Sequence, residues 1–122
     1  MRLHDSMYRI KEWHTDGNTT AADITFCPDH IIYQVHFPGQ PVTPGVCILQ
    51  IISELLEMHL DTPLNLTLVK NMKFVKPISP IDDGAVTVTF QQLTTTDDTV
   101  TAKGDITAGD VLYTKFSLIY KR

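Results

Sequence analysis

The chain is poor in cysteine, with only Cys27 and Cys47 in 122 residues. A disulfide framework is therefore not its source of stability, and both residues read as small buried hydrophobes. It has no apolar run approaching a membrane span, and its first residues, MRLHDSMYRI, lack the apolar core of a signal peptide. The cytoplasm is the expected compartment. Basic residues are outnumbered, ten Lys and Arg against fourteen Asp and Glu for a net charge of -4. That balance argues against a nucleic-acid binder, which needs a basic surface to meet phosphates. His4, His14, His30 and His59 have no metal-ligand spacing with one another or with the cysteines, so no metal site is expected.

What is there suits one domain spanning residues 1–122. Hydrophobic residues make up 43% and charged residues 20%, enough apolar side chains for a real core in a soluble chain. Residues 6–14 mix aromatic, branched and charged side chains without helical spacing and predict a strand. Asp16-Gly17-Asn18 is a turn, and residues 19–26 predict the second strand of a hairpin. Residues 30–35 (HIIYQV) read as a short extended segment. Thr43-Pro44 reads as a helix start, with threonine at the N-cap and proline at the first helical position, and the helix runs to about Leu60. Its apolar residues lie nearly all round, so other structure should wrap it. The exceptions, Gln50, Ser53, Glu54 and Glu57, share a face that should meet water, a partner or a site. Four strands are expected afterwards, over about 66–76, 85–93, 99–107 and 111–121, joined by turns into a meander. The sum is α+β: a long helix wrapped by a curved antiparallel sheet of about six strands.

Chemistry concentrates in HFPGQPVTPG, residues 36–45, where three prolines and two glycines make a stiff, shaped loop. A loop histidine usually does no more than bond its backbone. Here, however, Gly45 opens the helix, where an N–H without an intrahelical partner can bind a carbonyl or oxyanion. A histidine base beside such a donor fits removal of a proton next to a carbonyl. Cys47, close by, is placed in apolar surroundings and expected to be buried and inert.

The loop with its P-V-x-P-G-V continuation resembles the beta-hydroxyacyl-(acyl carrier protein) dehydratases, which have the single-helix hot-dog fold. The later stretch LVKNMKFVKPISPIDDG is similar to that family's K/R-F-x-x-P-I/V-x-P segment. The resemblance implies dehydration of a (3R)-hydroxyacyl chain to the trans-2-enoyl product. The substrate would be held on the phosphopantetheine arm of acyl carrier protein, with no further cofactor. His36 would be the base at C2 and Gly45 N–H would hold the thioester carbonyl, with Phe37, Pro38, Gly39 and Val46 lining the substrate site. Two subunits would join edge to edge into a homodimer or a trimer of dimers, and a heterodimer with a related subunit is the alternative.

The resemblance also implies a carboxylate on the partner subunit's helix that protonates the leaving hydroxyl at C3; it belongs fourteen positions after the histidine, where this chain has Gln50, with Glu54 four positions further on. An amide has no proton to give. Glu54 is therefore the candidate acid, one helical turn or about 6 Å along the axis, with Gln50 orienting the hydroxyl. Two other readings stand beside this one: a non-catalytic acyl-binding subunit that partners an active homologue, and a thioesterase on the same fold. Lys70, Lys73 and Lys76, with Arg2, Arg9 and Arg122, are the candidates for docking an acidic carrier. Glu57 reads as a solvated charge, and His59 as a complement to the negative end of the helix.

Overall fold

The computed structural model describes residues 2–122. Two hairpin strands come first, β1 (Tyr8–Asp16) and β2 (Thr19–Phe26), then a short helix α1 (Ile31–Val35) and the long helix α2 (Gly45–Leu60). Four strands follow: β3 (Asn65–Phe74), β4 (Ala85–Thr95), β5 (Thr99–Ala108) and β6 (Val111–Lys121). They form one six-stranded antiparallel sheet in the order β1-β2-β4-β5-β6-β3.

That order corrects the expected meander. Strands β4, β5 and β6 do follow one another, but β3 pairs with β6 at the far edge and has no bond to β4. The segment 75–84 therefore crosses from one part of the sheet to another and does not make a tight turn. Tyr113 Oη donates to Asp83 Oδ1 at 2.6 Å, and Asp83 Oδ2 accepts the Ser79 N–H at 3.0 Å, which holds the crossing in place.

Alternation delivers one side chain in two to the core, as the period of a strand requires. Val86, Val88 and Phe90 on β4 and Val100, Ala102 and Ile106 on β5 are all buried. Against them α2 buries Cys47, Ile48, Ile51, Ile52, Leu55 and Leu56. Both cysteines are free buried thiols, and burial pushes the Cys47 thiol up from its ordinary pKa.

Two local expectations are corrected. Residues 31–35 are helical, not extended: Nδ1 of His30 accepts the Ile32 N–H at 3.1 Å and caps the turn from its N-terminal side. Thr43 is not the cap of α2. Its hydroxyl is bonded to Tyr33 Oη at 2.8 Å, and Pro44, in extended conformation and with no side-chain bond to give, occupies the N-cap.

Candidate active site

His36 terminates α1 as its C-cap, its N–H donating to the Ile32 carbonyl at 3.0 Å. The next four residues make a tight turn, Gln40 N–H to Phe37 O at 3.0 Å, with Gly39 at φ 78. Pro38 at the second position and a positive-φ glycine at the third are the residues that a type II turn selects. Val42 then closes the loop by donating its N–H to the His36 carbonyl at 2.9 Å.

The Val42 carbonyl lies 3.2 Å from His36 Nδ1. A carbonyl only accepts, so Nδ1 carries the proton and Nε2 is left as the basic nitrogen. The rings of His36 and Phe37 stack with centroids 4.3 Å apart. His36 is half-buried, while Phe37, Pro38, Gly39 and Val46 are exposed.

At the other end of the loop, Thr43 N–H donates to Ile78 O at 2.9 Å, and Pro44 O accepts from Cys47 and Ile48. The helix begins without a side-chain cap. Among the described residues no acceptor is bonded to the N–H of Gly45 or Val46, the two donors at the positive end of the helix dipole. Gly45 is closely covered: a Cβ built there would lie 2.9 Å from Cζ of Phe74. The two sequence stretches thus meet in space, Phe74 against Gly45 and Ile78 bonded to Thr43. Sequence reading missed this contact, although the F and I of KFVKPI were its visible trace.

Gln50 and Glu54 are brought together directly, Gln50 Nε2 donating to Glu54 Oε2 at 2.8 Å. Glu54 is only 1% exposed. The same Oε2 accepts the Leu3 N–H at 2.8 Å, and Oε1 accepts the His4 N–H at 2.8 Å and the Tyr8 hydroxyl at 3.0 Å. Four donors match the four acceptor positions of a carboxylate, so no position is left for a proton to be offered to substrate. Burial and the facing carboxylate push the Tyr8 hydroxyl well above its ordinary pKa.

The rest of the polar stripe also makes structural bonds. Ser53 Oγ bonds to Tyr120 Oη at 2.8 Å, and Glu57, partly exposed, accepts the Leu64 N–H at 2.9 Å. Glu54, Ser53 and Glu57 thus tie the helix to three different neighbours: the N-terminal segment, β6 and the residue just before β3.

One titratable cluster escaped the spacing argument because it is assembled across two strands. Glu12, His14 and Asp23 place one ligand atom each within 4.8 Å of one another, with His14 Nε2 2.6 Å from Asp23 Oδ2. It lies on the exposed hairpin. Among the described residues, no helix is long and apolar enough to cross a membrane.

Residues 12–108 match the model of the ApeI-like family, the ApeI dehydratases. No curated protein sequence matches the chain. The dehydratase heterocomplex ApeI:P from Xenorhabdus doucetiae is similar in structure at 16% identity and TM-score 0.67, over 93% of this chain and 96% of that one. An uncharacterized protein from Erwinia carotovora subsp. atroseptica is similar at 23% identity and TM-score 0.55, over 92% of this chain and 90% of that one. A thioesterase from Haemophilus influenzae is similar at 17% identity and TM-score 0.60, over 93% of this chain and 76% of that one. At such identities the likeness is one of fold, the hot-dog arrangement of one long helix held by a curved sheet. The family match covers most of the sequence, including both the histidine loop and the segment that packs against it, and the chain belongs to the ApeI-like dehydratase family.

Proposed function

We propose that this protein removes water from a (3R)-hydroxyacyl thioester carried on acyl carrier protein, giving the trans-2-enoyl thioester. The observation that carries the reading is the Nδ1–H of His36 held on the Val42 carbonyl, which leaves Nε2 as a fixed base. Nε2 takes the proton from C2 while the N–H of Gly45 holds the thioester carbonyl and stabilises the enolate-like charge. The C3–O bond then breaks as the C2–C3 double bond forms. The imidazolium of His36 hands its proton to the departing hydroxyl, which leaves as water. Gln50 orients that hydroxyl, and Glu54 acts as a positioning residue that holds the Gln50 amide, because its own acceptor positions are filled.

The site needs a second surface. Val35 and Phe37, and with them Val46 and Phe74, are large hydrophobics left exposed around His36 and Gly45. The two edges of the sheet also differ. The β1 edge carries charges along its length, Arg9, Lys11, Glu12, His14 and Asp16, which discourage pairing, whereas β3 exposes Leu66, Leu68 and Val69 ahead of its first charge, Lys70. We take β3 as the edge along which two subunits join, either two copies of this chain or this chain and a related one, in the cytoplasm.

A second reading is a non-catalytic acyl-binding subunit. It is favoured by the amide at position 50, by the fully occupied carboxyl of Glu54, and by a structural neighbour that is itself a dehydratase heterocomplex. The test is to incubate the chain alone with a 3-hydroxyacyl carrier protein and follow enoyl product and free thiol. Enoyl product that disappears in His36→Ala supports dehydration; absence of both products supports the non-catalytic subunit. Free thiol without enoyl product would point to thioester hydrolysis.

A further inference from the structure

We infer that the face of the sheet turned away from α2 carries a second binding site, an anion site for a phosphate-bearing small molecule, built where β3, β4, β5 and β6 meet at two bulges. It goes beyond the chemistry of the His36 loop and shares no residue with it.

Phe90, Ala102, Phe116 and Leu118 point into the core, so the residues alternating with them, Lys103, Lys115 and Ser117, stand on the opposite face. The register aligns them: Lys103 is opposite Ser117, Ser117 opposite Asn71, and Lys115 opposite Lys73. The ladder is interrupted twice at this point. Between Val69 and Asn71 an extra residue, Lys70, is inserted in β3, and between Phe90 and Gln92 an extra residue, Gln91, is inserted in β4. A bulge re-aims the side chain that it adds. Both added side chains line the same depression of about 440 Å³, together with Asn71, Lys103, Lys115 and Ser117.

Three properties of this depression point to a compact anion. Lys70, Lys103 and Lys115 gather there in a chain of net charge -4, and among the described residues none of them forms an ion pair. The nearby carboxylate, Asp105, stands opposite Lys115 in register and accepts from the Gln91 amide at 2.9 Å, and it is not among the residues that line the depression. Lys73 and Lys115 directly oppose each other, a like-charge pair that Asp105, opposite Lys115 on its other side, offsets in part and a bound anion would offset further. Finally, the Ser117 hydroxyl is buried and has no hydrogen-bond partner among the described residues. A buried hydroxyl without a partner is costly, and a phosphate oxygen would accept from it while the ammonium groups neutralise the charge. Asn71 supplies an amide donor at the rim. A concave site with a hydroxyl and several cations takes a phosphate monoester or diester in preference to a flat protein surface.

The test is an NMR titration of the intact protein at fixed ionic strength with inorganic phosphate and with adenosine 3′,5′-bisphosphate, with chloride as control. The expected result is saturable shifts at the amides of Asn71, Lys103 and Ser117. Binding should weaken at least tenfold in the double variant Lys103→Gln/Lys115→Gln and about threefold in Ser117→Ala, which changes no charge, with thermal stability retained in both. Tighter binding of the bisphosphate assigns a nucleotide-bearing ligand, and equal affinity assigns phosphate itself. Shifts that do not saturate, that chloride reproduces, or that survive both variants unchanged overturn the site.

Discussion

Glu54 Oε2 accepts from the Gln50 amide at 2.8 Å, and the same carboxylate holds the backbone of Leu3 and His4 and the hydroxyl of Tyr8. One side chain of the central helix thus anchors both the N-terminal segment and the amide that occupies the family's acid position. Replacing Glu54 by Gln puts an amide N–H where two of those donors now find an acceptor. Stability should fall by about 3 kcal/mol, as expected when buried bonds to a charged group are broken. Urea unfolding measures this, and a loss below about 0.5 kcal/mol, the range of ordinary surface substitutions, would show that the bonds are not made.

The positioning role has its own readout. Gln50→Glu would set two carboxyl groups at hydrogen-bond distance, where they share a proton and one of them titrates upward. If His36 and position 50 face the same substrate, the pH–rate profile of Gln50→Glu should gain a limb absent from the parent. An unchanged profile would separate position 50 from the chemistry.

Gly45 and Phe74 touch so closely that a methyl group cannot be added without moving the ring, 2.9 Å from a built Cβ. Phe74 is half exposed and can swing aside. Gly45→Ala should therefore fold normally but lower kcat/KM about tenfold through the displaced ring and the altered approach to the helix N–H, a barrier change of about 1.4 kcal/mol. Adding Phe74→Leu should recover part of the loss. Equal activity of Gly45→Ala and parent would argue against the N–H as the carbonyl holder.

Gly104 has no such freedom. A Cβ there would sit 1.8 Å from the Thr89 carbonyl oxygen and 2.7 Å from the Phe116 ring, and the first of these neighbours is backbone. Gly104→Ala should cost about 3 kcal/mol or more, at or beyond the upper end of overpacking in cores, visible as a large drop in melting temperature.

His14 and Asp23 make a pH-dependent pair on the exposed hairpin. The hydrogen bond and charge of Asp23 raise the His14 pKa, so its contribution is complete below the unfolded value near 6.5 and is lost as pH rises through the higher folded value. Asp23 is held below its ordinary value by bonds from Thr87 and His14, so its contribution is present above about 3.8 and is lost as pH falls through the lower folded value. The stability difference between the parent and Asp23→Asn should therefore be largest near pH 5 and shrink on either side. Thermal melts across that range, with NMR titration of His14, check the sign. A difference that grows above pH 7 would contradict it.

The uncharged first half of β3, residues 65–69, predicts association. Leu68 is 51% exposed on a strand bonded on one side only. Leu68→Lys should shift a dimer of this chain towards monomer in sedimentation, as charges do on sheet edges, and an unchanged dimer would place the contact elsewhere.

The sequence by itself determined what depends on short-range pattern. The period-two alternation of β4 and β5, the near-complete apolar surface of α2 and the proline- and glycine-shaped loop after His36 were each legible because local periodicity and φ restrictions act within a few residues. Tertiary structure decided what depends on partners distant along the chain. β3 lies beside β6 and not β4, because hydrogen-bond register is a property of two strands and not of one. Thr43 gave its hydroxyl to Tyr33 and left the cap of α2 to a proline, which the local capping preference could not foresee. Glu54, read from its spacing as the acid of the site, is saturated by donors some fifty residues away, since the N-terminal segment folds back over the helix. Spacing places a carboxylate on a face; only the packed fold settles which donors fill its lone pairs.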